Sequence, residues 1–127
     1  MVRIEVRGLL NPFLLLLLRE RSGHGYDLIE RLTDLGVDGV EPSHCYRVLR
    51  TLEASGLVVS SWTPGGAGPA RRCYDLTSAG GHALETCSAR LADLNRLTGR
   101  YLERCARVQD DDPAGPPVAD LARLTRA

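Results

Sequence analysis

Three helix-patterned segments come first in this 127-residue chain, followed by two short β-patterned runs around a glycine-rich turn. One long segment with apolar residues at alternating three- and four-residue steps comes last. That order predicts a mainly α fold with a small β-hairpin. It divides into a winged helix-turn-helix domain over residues 1–76, a C-terminal dimerisation helix over 77–108 and a disordered tail over 109–127.

Met1 to Arg7 alternate apolar and polar residues (Val2, Ile4, Val6), as a short strand or an arm does. Asn11-Pro12 reads as a helix start, an Asn cap followed by Pro in the first turn. The leucines from Leu14 to Leu18 leave that helix apolar nearly all round, which places it centrally in the core. Ser22-Gly23-His24-Gly25 breaks it. A second helix runs from about Tyr26 with Leu28, Ile29 and Leu32 on one face, and Gly36 stops it.

Pro42 opens the third helix, whose Cys45, Val48, Leu49 and Leu52 follow the i, i+3, i+4, i+7 pattern of one buried face. Gly56 ends it. Leu57 to Thr63 and Arg71 to Leu76 flank the turn cluster Pro64 to Pro69, which predicts a hairpin. Thr77-Ser78 caps the long last helix. Leu84, Cys87, Leu91, Leu94, Thr98, Tyr101, Cys105 and Val108 then mark a coiled-coil-like seam, which we read as a dimer interface. The alternative is a helix folded back onto its own domain. Asp110 to Pro117 is acidic and proline-rich, as in a disordered linker or tail.

Composition limits the function. Sixteen basic residues, all Arg, face sixteen acidic ones, with nine of each sign before Leu76 and seven of each after it. Zero net charge counts against nucleic acid as a bulk partner, so any basic footprint must be local. Every cation is nonetheless a planar fork suited to phosphate or guanine. The apolar run Phe13 to Leu18 is far too short for a membrane span or a signal peptide, and the widely spaced cysteines fit reduced thiols in the cytoplasm.

The stretch P-S-H-C-Y-R-V-L-R-T-L-E, Pro42 to Glu53, carries the chemistry. His44 and Cys45 are neighbours on a helix, about 100° apart, so they do not converge on one ion. His24, His82 and Cys73 add no ligand spacing such as C-x-x-C. A catalytic thiol needs an oriented base, and Cys45 lies on the apolar stripe. No phosphate or dinucleotide fingerprint occurs, so neither metal, cofactor nor enzymatic activity is expected.

The opposite face holds Ser43, His44, Tyr46, Arg47, Arg50 and Thr51. Ser43, His44 and Arg47 sit in the first turn and a half, where a recognition helix reaches base edges, and Arg47 suits a bidentate guanine contact. Tyr46 and Arg50 are placed for phosphates, and Arg71 and Arg72, on the wing, for the backbone or minor groove. The bland alternative is an ordinary solvated face. Third position in a three-helix-plus-hairpin order favours double-stranded DNA. A winged-helix module that binds protein instead is the competing reading.

Three segments resemble the PadR family of winged-helix repressors, regulators of phenolic-acid detoxification: G-H-G-Y-D-L-I-E-R-L, Y-R-V-L-R-T-L-E-A-S-G-L-V-V-S-S-W and G-P-A-R-R-C-Y-D-L-T-S-A-G. The matching positions are Gly25-Tyr26-Asp27-Leu28; Tyr46, Leu49, Leu52, Glu53, Gly56 and Leu57; Trp62; and Arg71 through Gly80. The resemblance spans roughly residues 8 to 108 and looks like the subfamily with a single C-terminal helix that makes the dimer. It implies a homodimeric repressor on a pseudo-palindromic operator, released by a small-molecule effector near the dimer interface, with Tyr46 touching the DNA backbone. Ser43-His44 and Arg47 stand where the family usually has Gly-Thr and Pro, which implies a different operator. The last helix lacks the ligand-stacking Trp of some drug-binding members, and Tyr101 is its only aromatic residue. Arg90, Arg96 and Arg100 are the candidates to receive an anionic effector, against the plainer reading of a solvated, ion-paired face.

Overall fold

The structure is a computed structural model that describes residues 7–64 and 71–111. Its elements in chain order are α1 Arg7–Glu20, β1 Gly23–His24, α2 Gly25–Leu35, α3 Pro42–Ala54, β2 Val58–Thr63, β3 Arg71–Leu76 and α4 Ser78–Asp111. The predicted fold class, mainly α with a small sheet and a long last helix, is the one observed. The chain divides into two compact units. One, bounded by Val6–Ser88, holds the sheet and the whole buried core. The described part of the other is residues 89–111 of α4.

α1 starts earlier than the Asn11-Pro12 signal suggests, and Pro12 lies inside it. The proline removes one intrahelical hydrogen bond, the donor to the Gly8 carbonyl. Gly8 is exposed, so water can satisfy that oxygen, while buried Leu10 holds the preceding turn against the core. The expected strand or arm lies outside the described residues, except that Arg7 is helical. Leu10, Leu14, Leu15, Leu17 and Leu18 are all buried, so α1 is the central helix.

The hairpin carries a third strand that the sequence pattern did not announce. β1 joins an antiparallel sheet of order β1-β3-β2, pairing Gly23 with Tyr74 and His24 with Cys73. β2 pairs with β3 from Val58↔Leu76 to Thr63↔Arg71. Two residues are too few to show a period-2 pattern. His24 Nδ1 lies 3.2 Å from the Arg72 carbonyl, which adds a side-chain tie across β1 and β3.

Gly36, at φ +108°, ends α2 in the left-handed conformation that glycine adopts without strain. Its N–H and that of Val37 return to the last carbonyls of the helix. On α3, Cys45, Leu49 and Leu52 are buried and Val48 packs beside them, the face the spacing predicted. Thr77 accepts a hydrogen bond from Gly80 N–H at 3.0 Å and so caps α4. α4 continues to Asp111, three residues past the expected end. The rest of the expected tail lies outside the described residues.

Arg31 on α2 carries a role invisible in the sequence. Its guanidinium donates to the carbonyls of Leu17 and Arg21 at the end of α1 and pairs with Asp27 and Glu20. The Leu17 carbonyl also takes the Arg21 N–H, so Arg31 adds a second donor there and ties α2 to the turn that follows α1.

Candidate nucleic-acid interface

The face of α3 away from the core narrows to a ridge. At 100° per residue, Ser43, Arg47 and Arg50 fall within about 60° of one another, with Thr51 beside them. All four are exposed. Thr51 spends its hydroxyl on the Arg47 carbonyl at 3.0 Å. Among the described residues, neither Arg47 nor Arg50 has a carboxylate within ion-pair distance. Within a domain of neutral formal charge, two guanidinium forks thus stand side by side with no described carboxylate at hand.

His44 and Tyr46 border the ridge and are half-buried. Nε2 of His44 is enclosed without a hydrogen-bond partner, the one such buried side-chain atom among the described residues. His44 therefore offers less of its ring to a groove than its place on the helix suggested. Cys45 is buried, and burial pushes its thiol up to about 11, so it stays protonated and packs.

Tyr46 rests on α2. Its ring covers Gly25 and meets Tyr26 edge-to-face, with centroids 5.9 Å apart and planes at 80°. Burial raises the phenol above its usual range, with the neighbouring Tyr26 adding to the effect. At neutral pH the Tyr46 hydroxyl is thus a neutral hydrogen-bond donor at the α2–α3 junction. A methyl group at residue 25 would occupy the space of the Tyr46 ring. Gly25→Ala is accordingly expected to lower stability by about 1–3 kcal/mol and to displace Tyr46. Urea melts and the near-ultraviolet circular dichroism of the tyrosines check both parts.

On the wing, Arg71 and Arg72 differ. Arg71 is exposed and has no described carboxylate within ion-pair distance. Arg72 lies 3.9 Å from the Glu53 carboxylate, and its guanidinium carbon stands 5.0 Å from the centroid of the Trp62 ring. Each contact is worth only about 0.2–1 kcal/mol at an exposed site. Glu53 is itself fixed by the Ser60 hydroxyl, which donates to it at 2.7 Å. Sequence reasoning placed both arginines on DNA and missed Glu53 and Trp62. Only the register of the hairpin, which sets Trp62 opposite Arg72, reveals the pairing.

The expected seam on α4 splits into two parts. Leu84 packs against the core of its own domain. Cys87 and Leu91 are half-buried, whereas Leu94, Thr98 and Tyr101 are exposed, as is the adjacent Leu97. Thr98 returns its hydroxyl to the Leu94 carbonyl at 3.0 Å, so its polarity is satisfied within the helix. Cys105 is half-buried one turn beyond Tyr101, whose phenol it holds above the ordinary range by hydrogen bonding. Arg90, Arg96 and Arg100 are all exposed, and Arg96 is paired with Asp93. Arg96 and Arg100 are about 40° apart on the helix, but Arg90 is about 80° or more from both. They do not form one cluster on a single helix. No group of three potential metal ligands occurs among the described residues.

The profile of the transcriptional regulator PadR-like family matches residues 14–86, more than half of the chain. The protein belongs to this family. Its members are transcriptional regulators, not enzymes. A crystal structure of a PadR family transcriptional regulator from Eggerthella lenta is 35% identical, with a TM-score of 0.68 over 76% of this chain and 84% of that one. The PadR-like regulator of Bacillus cereus, 22% identical, shares the fold at a TM-score of 0.70 over 76% of this chain and 94% of its own. PadR of Bacillus subtilis, crystallised with operator DNA, is 28% identical, with a TM-score of 0.56 over 61% of this chain and 45% of that one. No curated protein sequence matches the chain significantly. No described helix is long and apolar enough to cross a membrane.

Proposed function

We propose that this PadR-like protein is a cytoplasmic homodimeric repressor that binds a pseudo-palindromic operator in double-stranded DNA and is released by a small-molecule effector. The observation that carries the reading is the exposed ridge of Ser43, Arg47 and Arg50 on α3, with no described carboxylate within ion-pair distance of either arginine. The related Bacillus subtilis PadR was crystallised with operator DNA, which supports the same use here. In this reading Arg47 reads a base edge, Arg50 and the Tyr46 hydroxyl hold the phosphates, and Thr51 flanks them with its hydroxyl kept on the Arg47 carbonyl. His44 contributes at the edge of the site, where its half-buried ring limits it to a secondary contact.

The dimer is supported by the exposed apolar residues of α4, Leu94, Leu97 and Tyr101, which lie along one stripe where a second copy can cover them. On α4, Arg90 lies about 60° from the middle of the Leu94–Thr98–Tyr101 stripe and can receive an anion beside a second copy, whereas Arg96 and Arg100 lie on the far side of the helix. An effector releases DNA only if it binds one spacing of the two recognition helices better than the other.

A fluorescence-anisotropy titration against the upstream intergenic DNA, with excess random competitor, tests the reading. Binding that survives competitor is expected for the wild-type chain. Arg47→Ala is expected to lose about 1–3 kcal/mol of discrimination against altered sites while retaining non-specific affinity. Binding that competitor abolishes in the wild-type chain would instead support a module that docks on protein, the alternative that zero net charge favours.

A further inference from the structure

We propose that Arg72 is a positioning residue of the wing, one that stays on Glu53 and Trp62 while the protein is on DNA, and that Arg71 is the phosphate-contacting cation of β3. This rests on the DNA-binding reading above. Arg72 and Trp62 face each other across the β2–β3 ladder, and the guanidinium lies over the indole face. The carboxylate of Glu53, at the end of α3, holds the same guanidinium at 3.9 Å. The side chain of Arg72 also acts on the buried phenol of Tyr74, its neighbour two residues along β3. One arginine thus ties the recognition helix to both strands of the hairpin and sets the wing's angle to that helix.

Reaching a phosphate would require Arg72 to leave both partners. Glu53 does not follow it, because the Ser60 hydroxyl anchors the carboxylate at 2.7 Å. An incoming phosphate would then face an exposed like charge at the same spot. Arg71 has neither constraint. It is the adjacent residue on β3, so its side chain points to the other face of the sheet, and it is exposed.

Salt dependence distinguishes the two roles, because each phosphate contact contributes about 0.9 to the slope of log K against log salt. The probe is a labelled random-sequence duplex titrated by anisotropy at several salt concentrations. Arg71→Gln is expected to flatten the slope by about 0.9 for each copy bound. Arg72→Gln is expected to leave it unchanged, while shifting the emission of Trp62, the only tryptophan of the chain, in the DNA-free protein. Glu53→Gln frees Arg72 and is expected to steepen the slope by about the same 0.9, and adding Arg72→Gln to it should restore the wild-type value. A slope that falls in Arg72→Gln as it does in Arg71→Gln, or that does not steepen in Glu53→Gln, overturns the inference. A wild-type chain with no DNA binding at any salt overturns the DNA-binding reading itself.

Discussion

Replacing Arg31 by alanine is expected to destabilise the winged domain by roughly 2–4 kcal/mol. Its side chain is only 10% exposed, yet it serves two carbonyls at the end of α1 and two carboxylates. The carboxylates supply the smaller share. Glu20 is 61% exposed and Asp27 is 37% exposed, so solvent screens both pairs. The carbonyls of Leu17 and Arg21 matter more, because they lie where α1 gives way to the next turn and Arg31 reaches both with a side chain largely shielded from water. Arg31→Lys is expected to recover only part of the loss, since an ammonium is a point charge and lacks the fork that spans several acceptors. Urea denaturation checks this: the midpoint should fall with an unchanged m-value, in the order wild type, Lys, Ala. Equal midpoints for all three would show that water caps α1 equally well.

Much of this fold was legible because its signals are local. The Pro42 start, the Gly36 stop and the Cys45-Leu49-Leu52 stripe each follow from a few neighbouring residues. The α3 ridge was legible as the complement of that stripe. What escaped depends on partners distant in sequence. β1 is two residues whose only strand-like property is pairing with β3, far along the chain. Arg31 looks like any helical arginine until α1 is laid beside it. Leu84 fits the α4 repeat, but the core of its own domain claims it. The Asn11-Pro12 signal misled for a different reason: a local rule for starting helices was overruled by the burial of Leu10.

The candidate site shows the same division. Periodicity separated Ser43, Arg47 and Arg50 from the core, and all three are exposed. Periodicity alone cannot grade the residues at the border. His44 and Tyr46 lie near the edge of the buried face, and for Tyr46 the deciding neighbour is α2, where it settles over Gly25 and against Tyr26. Counting charges was similarly blunt. Zero net charge hides the difference between Arg47, which has no described carboxylate at hand, and Arg72, which has Glu53. For a neutral chain the useful quantity is which arginines remain unpaired, and only packing settles it.

The double variant Leu94→Glu, Tyr101→Glu is expected to be monomeric and to bind the operator about 10²–10⁴-fold more weakly than the wild-type chain. Leu94, Leu97 and Tyr101 are 51%, 57% and 54% exposed in the single chain and fall along one stripe of α4, the apolar surface a second copy would cover. Leu94 and Tyr101 are seven residues apart and occupy nearly the same line on α4, so the substitutions set four carboxylates into one two-fold seam. Analytical ultracentrifugation should then give the 13.8 kDa of one chain in place of twice that mass. The winged domain has its own core, with none of these residues in it, so its urea midpoint should change little. Loss of operator affinity would follow from geometry rather than from unfolding: each half-site contact must then be made independently, without the effective concentration that a second tethered recognition helix supplies. A variant that stays dimeric would move the interface elsewhere. A variant that becomes monomeric yet holds the operator as tightly as before would remove the dimer from the mechanism, leaving the ridge of a single α3 and one wing as the entire reader.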